Sequence, residues 1–187
     1  MSLKFAILTS LTERSGSGIE LARRFDKSIG YFWPATHQQI YRELDRLATD
    51  GLIREMPSDG PPRRGQPRSF AVTAEGAAAL REWLGNADDP EEIRSTMAVR
   101  VRAGAATGAV HEVRDALLHH REQRAAKLRR NLEIEQRDFH DVAADDARAV
   151  LQHSVLLLGI QVERAWVEWC DETLQALDRL PAGAEDP

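Results

Sequence analysis

Cysteine is almost absent: Cys170 is the only one in 187 residues. A single thiol excludes an internal disulfide framework and every multi-cysteine zinc pattern, and it points to a reducing compartment. Long hydrophobic runs are missing as well. Residues 155–160, VLLLGI, fall far short of the roughly 18 apolar residues needed to cross a bilayer. The opening MSLKFAILTSL has one lysine and too short an apolar stretch for a signal peptide. A soluble, cytoplasmic protein with no membrane partner is expected. The chain also lacks a nucleophile-with-base motif, a phosphate-binding glycine loop and a carboxylate pair, so neither an enzyme nor a cofactor is expected.

Positive charge is short overall. The net charge of -5 argues against indiscriminate nucleic-acid binding. The sum hides an asymmetry. Residues 1–85 hold 12 Lys+Arg against 10 Asp+Glu (+2), whereas residues 86–187 hold 13 against 20 (-7). A locally basic surface on an acidic protein suffices for phosphate contacts, and the acidic remainder restrains non-specific ones.

Residues 30–53, GYFWPATHQQIYRELDRLATDGLI, organise the rest. Pro34 suits a first helical position and Gly51 the residue past the end, giving an expected helix over 34–50. Ile40, Leu44 and Leu47 recur at helical spacing and face a core, while Gln38, Gln39, Arg42 and Arg46 point broadly the other way. Gln pairs with adenine and Arg with guanine, so Gln38, Gln39 and Arg42 suit base edges in a major groove. By itself the pattern also fits a solvated amphipathic helix.

Upstream, Ser2 caps a helix to about residue 13 with the stripe Leu3, Ile7, Leu8 and Leu11. SGSG at 15–18 breaks it. A second helix over 19–28 buries Ile19, Leu21, Ala22 and Phe25, and its free amides near Ser17 and Gly18 suit a phosphate. Downstream, residues 52–56 and 68–73 read as two short strands around a loop with four prolines and two glycines. Three helices followed by such a hairpin is the winged helix-turn-helix order, and Arg63, Arg64 and Arg68 would make its wing a phosphate contact. Thr73 caps a fourth helix to residue 84, in which Ala77, Leu80 and Leu84 cover the core.

Residues 85–90, GNADDP, mark the expected boundary between a DNA-binding domain (1–85) and a helical domain (86–180), with a disordered tail at 181–187. A connecting helix over 91–102 and a small, flexible stretch at 104–108 lead into two long helices, 109–141 and 145–180. The first carries Val110, Val113, Leu117, Leu128 and Leu132. On the second, Leu151, Val155, Leu158, Val162, Trp166, Trp169 and Leu177 alternate threes and fours as a coiled-coil seam does. Such an antiparallel helix pair leaves one apolar edge over, and pairing with a second copy about a two-fold axis would cover it and present two wings to a palindromic double-stranded operator. The fold class is therefore mainly α, with a two-stranded β wing.

The segment HQQIYRELDRLATDGLI, the proline- and arginine-rich wing and the junction SFAVTAEGAAALREWL resemble the PadR family of bacterial transcriptional regulators. LKFAILTSLTERSGSGIELARRF is similar to that family's first two helices, so the resemblance covers nearly all of residues 3–84. Tyr41, Leu44, Leu47, Gly51 and Leu52 match the family's Tyr, Leu, Leu, Gly, Leu signature, which gives Tyr41 a phosphate as well as the core. Ser69-Phe70 stands where the family commonly has two tyrosines. The resemblance implies a sequence-specific homodimeric regulator, with repression the expected sign, often under a small apolar or phenolic effector. The alternative is a winged-helix interaction scaffold without sequence-specific DNA binding. His111, Asp115 and His119 share a helix face, which reads as solvated rather than as a metal site. Cys170 reads as a buried small hydrophobe.

Overall fold

The computed structural model describes residues 3–27, 33, 35–57, 68–87, 92–141, 143 and 145–180. Ser2, Pro34, Arg63, Arg64 and the tail 181–187, all named above, lie outside the described residues. Contacts divide the chain into two units, residues 1–90 and 91–187.

The first unit runs α1 (Leu3–Glu13), β1 (Gly16–Ser17), α2 (Gly18–Lys27), α3 (His37–Thr49), β2 (Ile53–Glu55), β3 (Ser69–Val72) and α4 (Ala74–Leu84). This is the winged helix-turn-helix order. Its core gathers Ile7, Leu8 and Leu11 of α1, Leu21, Ala22 and Phe25 of α2, and Ile40, Leu44 and Leu47 of α3, closed by Ile53 and Phe70 of the hairpin. Full burial of a side chain of this size is worth roughly 1.5–3 kcal/mol. That stripe fixes which face of α3 looks outward.

Several expectations need correction. The sheet has three strands, ordered β1-β3-β2, all antiparallel, because Gly16 and Ser17 of the glycine-serine break pair with Phe70 and Ser69. Ile19 is 44% exposed, not buried. It lies roughly 110° around α2 from the centre of the Leu21, Ala22 and Phe25 face, at about 100° per residue. Leu84 is 69% exposed. The inward face of α4 is Gly76, which is buried, with Leu80 and Trp83 half-buried at helical spacing, and Trp83 stacks on Phe5 at 4.5 Å.

The second unit is α5 (Thr96–Thr107), α6 (Val110–Asp138) and α7 (Ala147–Asp178). Residues 104–108 are not a flexible link: Gly104 is buried inside α5, and only Gly108 leaves the helix, at φ 73° as its left-handed cap. Helices α6 and α7 run antiparallel, since the partners on α7 fall in number as those on α6 rise: Arg114 with Asp178, Arg121 with Asp171, Arg124 with Glu163, and Glu135 with His153. Val113 and Leu117 meet Cys170 and Leu174 of α7 and Met97 of α5. Beyond Leu117 the inward seam of α6 mixes polar groups with the half-buried Leu128 and Ile134. Leu132, expected on the stripe, is 37% exposed, and its neighbour Asn131 is the buried residue, at 6%.

Candidate nucleic-acid interface

Helix α3 begins at His37, three residues later than expected, because Thr36 is the first residue whose side chain can satisfy the orphan amides. Its hydroxyl accepts the Gln39 amide at 3.2 Å, and the Gln39 carbonyl Oε1 accepts the Thr36 amide at 2.8 Å, a reciprocal capping box. The helix stops at Asp50, and Gly51 follows at φ 71°, a left-handed conformation that favours glycine. Between these stops Gln38, Gln39, Tyr41, Arg42, Asp45 and Arg46 are all exposed.

Their commitments differ. The side chains of Gln38 and Arg42 make no hydrogen bond or ion pair among the described residues. Gln39 has a second task, since its Oε1 belongs to the cap and only its amide NH2 remains to project outward. Arg46 lies 3.9 Å from Asp50 across one helical turn, a loose surface contact worth at most a few tenths of a kcal/mol.

Next to this face stands the start of α2. Ser17 and Glu20 form another capping box: the Ser17 amide donates to Glu20 Oε2 at 2.8 Å and the Glu20 amide to Ser17 Oγ at 3.3 Å. The Ser17 hydroxyl also donates to Glu20 Oε2, at 3.0 Å, and the two hydrogen bonds on that carboxylate, first the backbone one and then the hydroxyl, lower the Glu20 pKa. The Ser17 hydroxyl is thus committed within the chain. The signal for this was Ser-x-x-Glu at 17–20, which the sequence reading passed over. Gly18 lies against Tyr41, so closely that a Cβ there would come within 2.4 Å of the ring. Ser17, Gly18 and Tyr41 are therefore brought together at one edge of α3.

Arg68 enters β3 on the other side. Its Nε donates to Glu55 of β2 and its Nη1 to Asp45 of α3, both at 2.9 Å, and its guanidinium carbon sits 5.1 Å from the centre of the Phe70 ring. These bonds, with Glu55 the stronger influence and Asp45 next, raise its pKa. At the far end of β3 the Thr73 hydroxyl donates to the Gly51 carbonyl at 2.7 Å and accepts the Gly76 amide at 3.1 Å, tying the end of α3 to the start of α4.

In the second unit Leu151, Val155, Leu158 and Val162 are 68, 45, 58 and 43% exposed. Trp169 and Leu177 instead pack on that unit's own core. Trp166 is partly covered by Trp169 at 5.5 Å, His120 at 5.4 Å and the Arg124 guanidinium at 5.1 Å. Arg124 reaches both Glu163 oxygens at 3.2 Å. His111, Asp115 and His119 are exposed, and among the described residues no three His, Cys, Asp or Glu side chains are placed to hold a metal. No helix among them is long and apolar enough to cross a membrane.

Residues 7–82 match the model of the "Transcriptional regulator PadR-like family" and residues 93–178 that of "Virulence activator alpha C-term". A probable transcriptional regulator of Mycobacterium tuberculosis is 37% identical over 95% of this chain and 98% of its own length. Among solved structures, the Vibrio cholerae virulence activator AphA superposes with a TM-score of 0.77 at 28% identity, covering 95% of this chain and 98% of that one. Bacillus subtilis PadR superposes at 0.80 and 23% in its complex with operator DNA, covering 95% of this chain and 100% of that one. In its complex with p-coumaric acid the values are 0.77 and 24%, covering 96% and 100%.

Proposed function

The chain belongs to the PadR-like family of transcriptional regulators, which are not enzymes, and on that premise we propose that it is a homodimeric repressor of a palindromic operator. Residues 1–85 bind the DNA and residues 86–180 dimerise. The observation that carries the reading is the outer face of α3. Gln38 and Arg42 are exposed and uncommitted on a helix whose opposite face is locked in the core and whose start is capped. Those two side chains read bases, with the free amide of Gln39 beside them. Gly18, Tyr41 and Arg46 at its edges, with Arg63 and Arg64 of the wing, meet phosphates. Ser17 contributes through the geometry of the α2 start, its hydroxyl being taken by Glu20.

Operator DNA and p-coumaric acid were found with Bacillus subtilis PadR. Effector control of the same chemical kind belongs to the proposal here: a small phenolic or apolar molecule favours one state of the dimer over the other. Anisotropy titrations on an operator selected from a random duplex library, and on a scrambled version, test the whole reading. Arg42→Ala or Gln38→Ala should cost about 1–3 kcal/mol per half-site on the selected duplex and little on the scrambled one. Equal losses on both would make these backbone contacts, and no selective binding by the unaltered protein would leave the scaffold alternative standing. Adding p-coumaric acid should lower operator affinity; an unchanged titration removes effector control by that class of ligand.

A further inference from the structure

We propose that Arg68 is a positioning residue, which fastens the base of the wing to the recognition helix α3 rather than gripping phosphate itself. Arg68 is the first described residue after the wing loop, and Met56, whose amide donates to the Ser69 carbonyl at 2.8 Å, is paired with its neighbour on the facing strand. The guanidinium thus holds both strands where they hand over to the loop, through Glu55 of β2, and reaches α3 through Asp45. Phe70, two residues along the same face of β3, is 3% exposed and supports the guanidinium from below. With two carboxylates at 2.9 Å on one guanidinium, the trio carries one net negative charge. A surface of that sign is a poor seat for phosphate.

Asp45 makes the arrangement matter for DNA. It follows Gln38 and Arg42 at i+7 and i+3, so it shares their face of α3. An unpaired carboxylate there would repel the duplex that Arg42 is to approach. Arg68 satisfies it and in the same act sets the angle between wing and helix. A lysine could not do the same, because its point charge lacks the planar fork that serves two carboxylates at once. The DNA arm of this inference rests on the function proposed above, whereas the wing-to-helix tie does not.

Two measurements decide it. Hydrogen exchange on the free protein should show the Met56 amide exchanging about two- to fivefold faster in Arg68→Ala, the range expected for loss of exposed ion pairs. Asp45→Asn should produce part of the same increase, and the double variant should match Arg68→Ala alone, because the two changes cut one tie. On a random-sequence duplex, Arg68→Ala should leave the dependence of log affinity on log salt unchanged. A fall in that slope of about 1 per protomer would make Arg68 a phosphate ligand and overturn the proposal. So would Met56 exchange indifferent to Asp45→Asn. Should Arg68→Ala not fold, Asp45→Asn and Glu55→Gln carry the exchange test by themselves. If the unaltered protein binds no duplex, the proposed function fails and the exchange result alone decides the tie.

Discussion

At Gly76 one missing atom holds the wing's end to the last helix of the first unit. A Cβ there would lie 2.0 Å from the Leu52 carbonyl oxygen, the oxygen that also accepts the Thr73 amide at 3.1 Å. Alanine is favoured over glycine inside a helix by about 1 kcal/mol. Pushing a hydrogen-bonded backbone aside costs about as much as overpacking a core, roughly 1–3 kcal/mol, and at 2.0 Å from backbone the upper part of that range applies. Gly76→Ala should therefore lower stability by about 1–2 kcal/mol, read as an earlier urea transition of the first unit; a transition at or above the unaltered one would show that α4 can shift freely. This glycine was not legible in EGAAAL, where it looks like a mild helix fault. The partners of Arg68 were illegible for a similar reason: its charge is written in the sequence, but the two carboxylates that meet it come from positions 13 and 23 residues away.

At the scale of elements, periodicity gave α1, α3, the hairpin and the two long helices, because each has an apolar face and a marked stop. It did not tell which stripe of α7 meets α6. Leu151, Val155, Leu158 and Val162 form one stripe, and Ile160, Cys170 and Leu174 another roughly a third of a turn away. Both are apolar at helical spacing, and only the partner's shape chooses between them. The face of α6 turned to α7 carries His120, Arg124, Asn131 and Glu135 among its apolar residues. His120 Nε2 accepts from Arg124 Nε at 3.2 Å, so that nitrogen is unprotonated in this packing. Burial first, then Arg124, with smaller contributions from Lys127 and His119 opposed by Glu163, holds the His120 pKa below its ordinary 6.5. The folded state thus binds this proton less readily than the unfolded one. Stability conferred by neutral His120 is complete above about pH 6.5 and is lost as pH falls from there through the folded value. Denaturation of the second unit, followed at pH 7.5 and pH 5.5, should show a smaller acid-induced loss in His120→Gln than in the unaltered protein. Equal losses would assign the acid sensitivity to other groups.

For the whole molecule the question is what covers the outward stripe of α7. Four aliphatic side chains between 43 and 68% exposed along about three turns are more than a solvated helix needs, and they repeat at threes and fours as a pairing seam does. A stable dimer buries on the order of 1,200–2,000 Å² in total, more than four side chains supply, so the interface proposed here must continue along the rest of α7. Trp166, only partly covered by its own chain, is placed to extend it. Charge separates the two halves of the task. The basic excess lies in residues 1–85 and the acidic excess in residues 86–187, so the balance of charge favours phosphate at the unit that carries α3. Leu151→Glu with Leu158→Glu puts a charge at each of two proposed contacts with a second copy and leaves the inward stripe intact. Light scattering should then report a monomer with unchanged helix content. Its affinity for a palindromic selected operator should fall by about 10²-fold or more, as one duplex no longer engages two linked half-sites. A single half-site duplex should bind it about as well as it binds the unaltered protein. A variant that remains dimeric would place the interface elsewhere, and a monomer that kept full affinity for the palindrome would show that dimerisation is not what selects the operator.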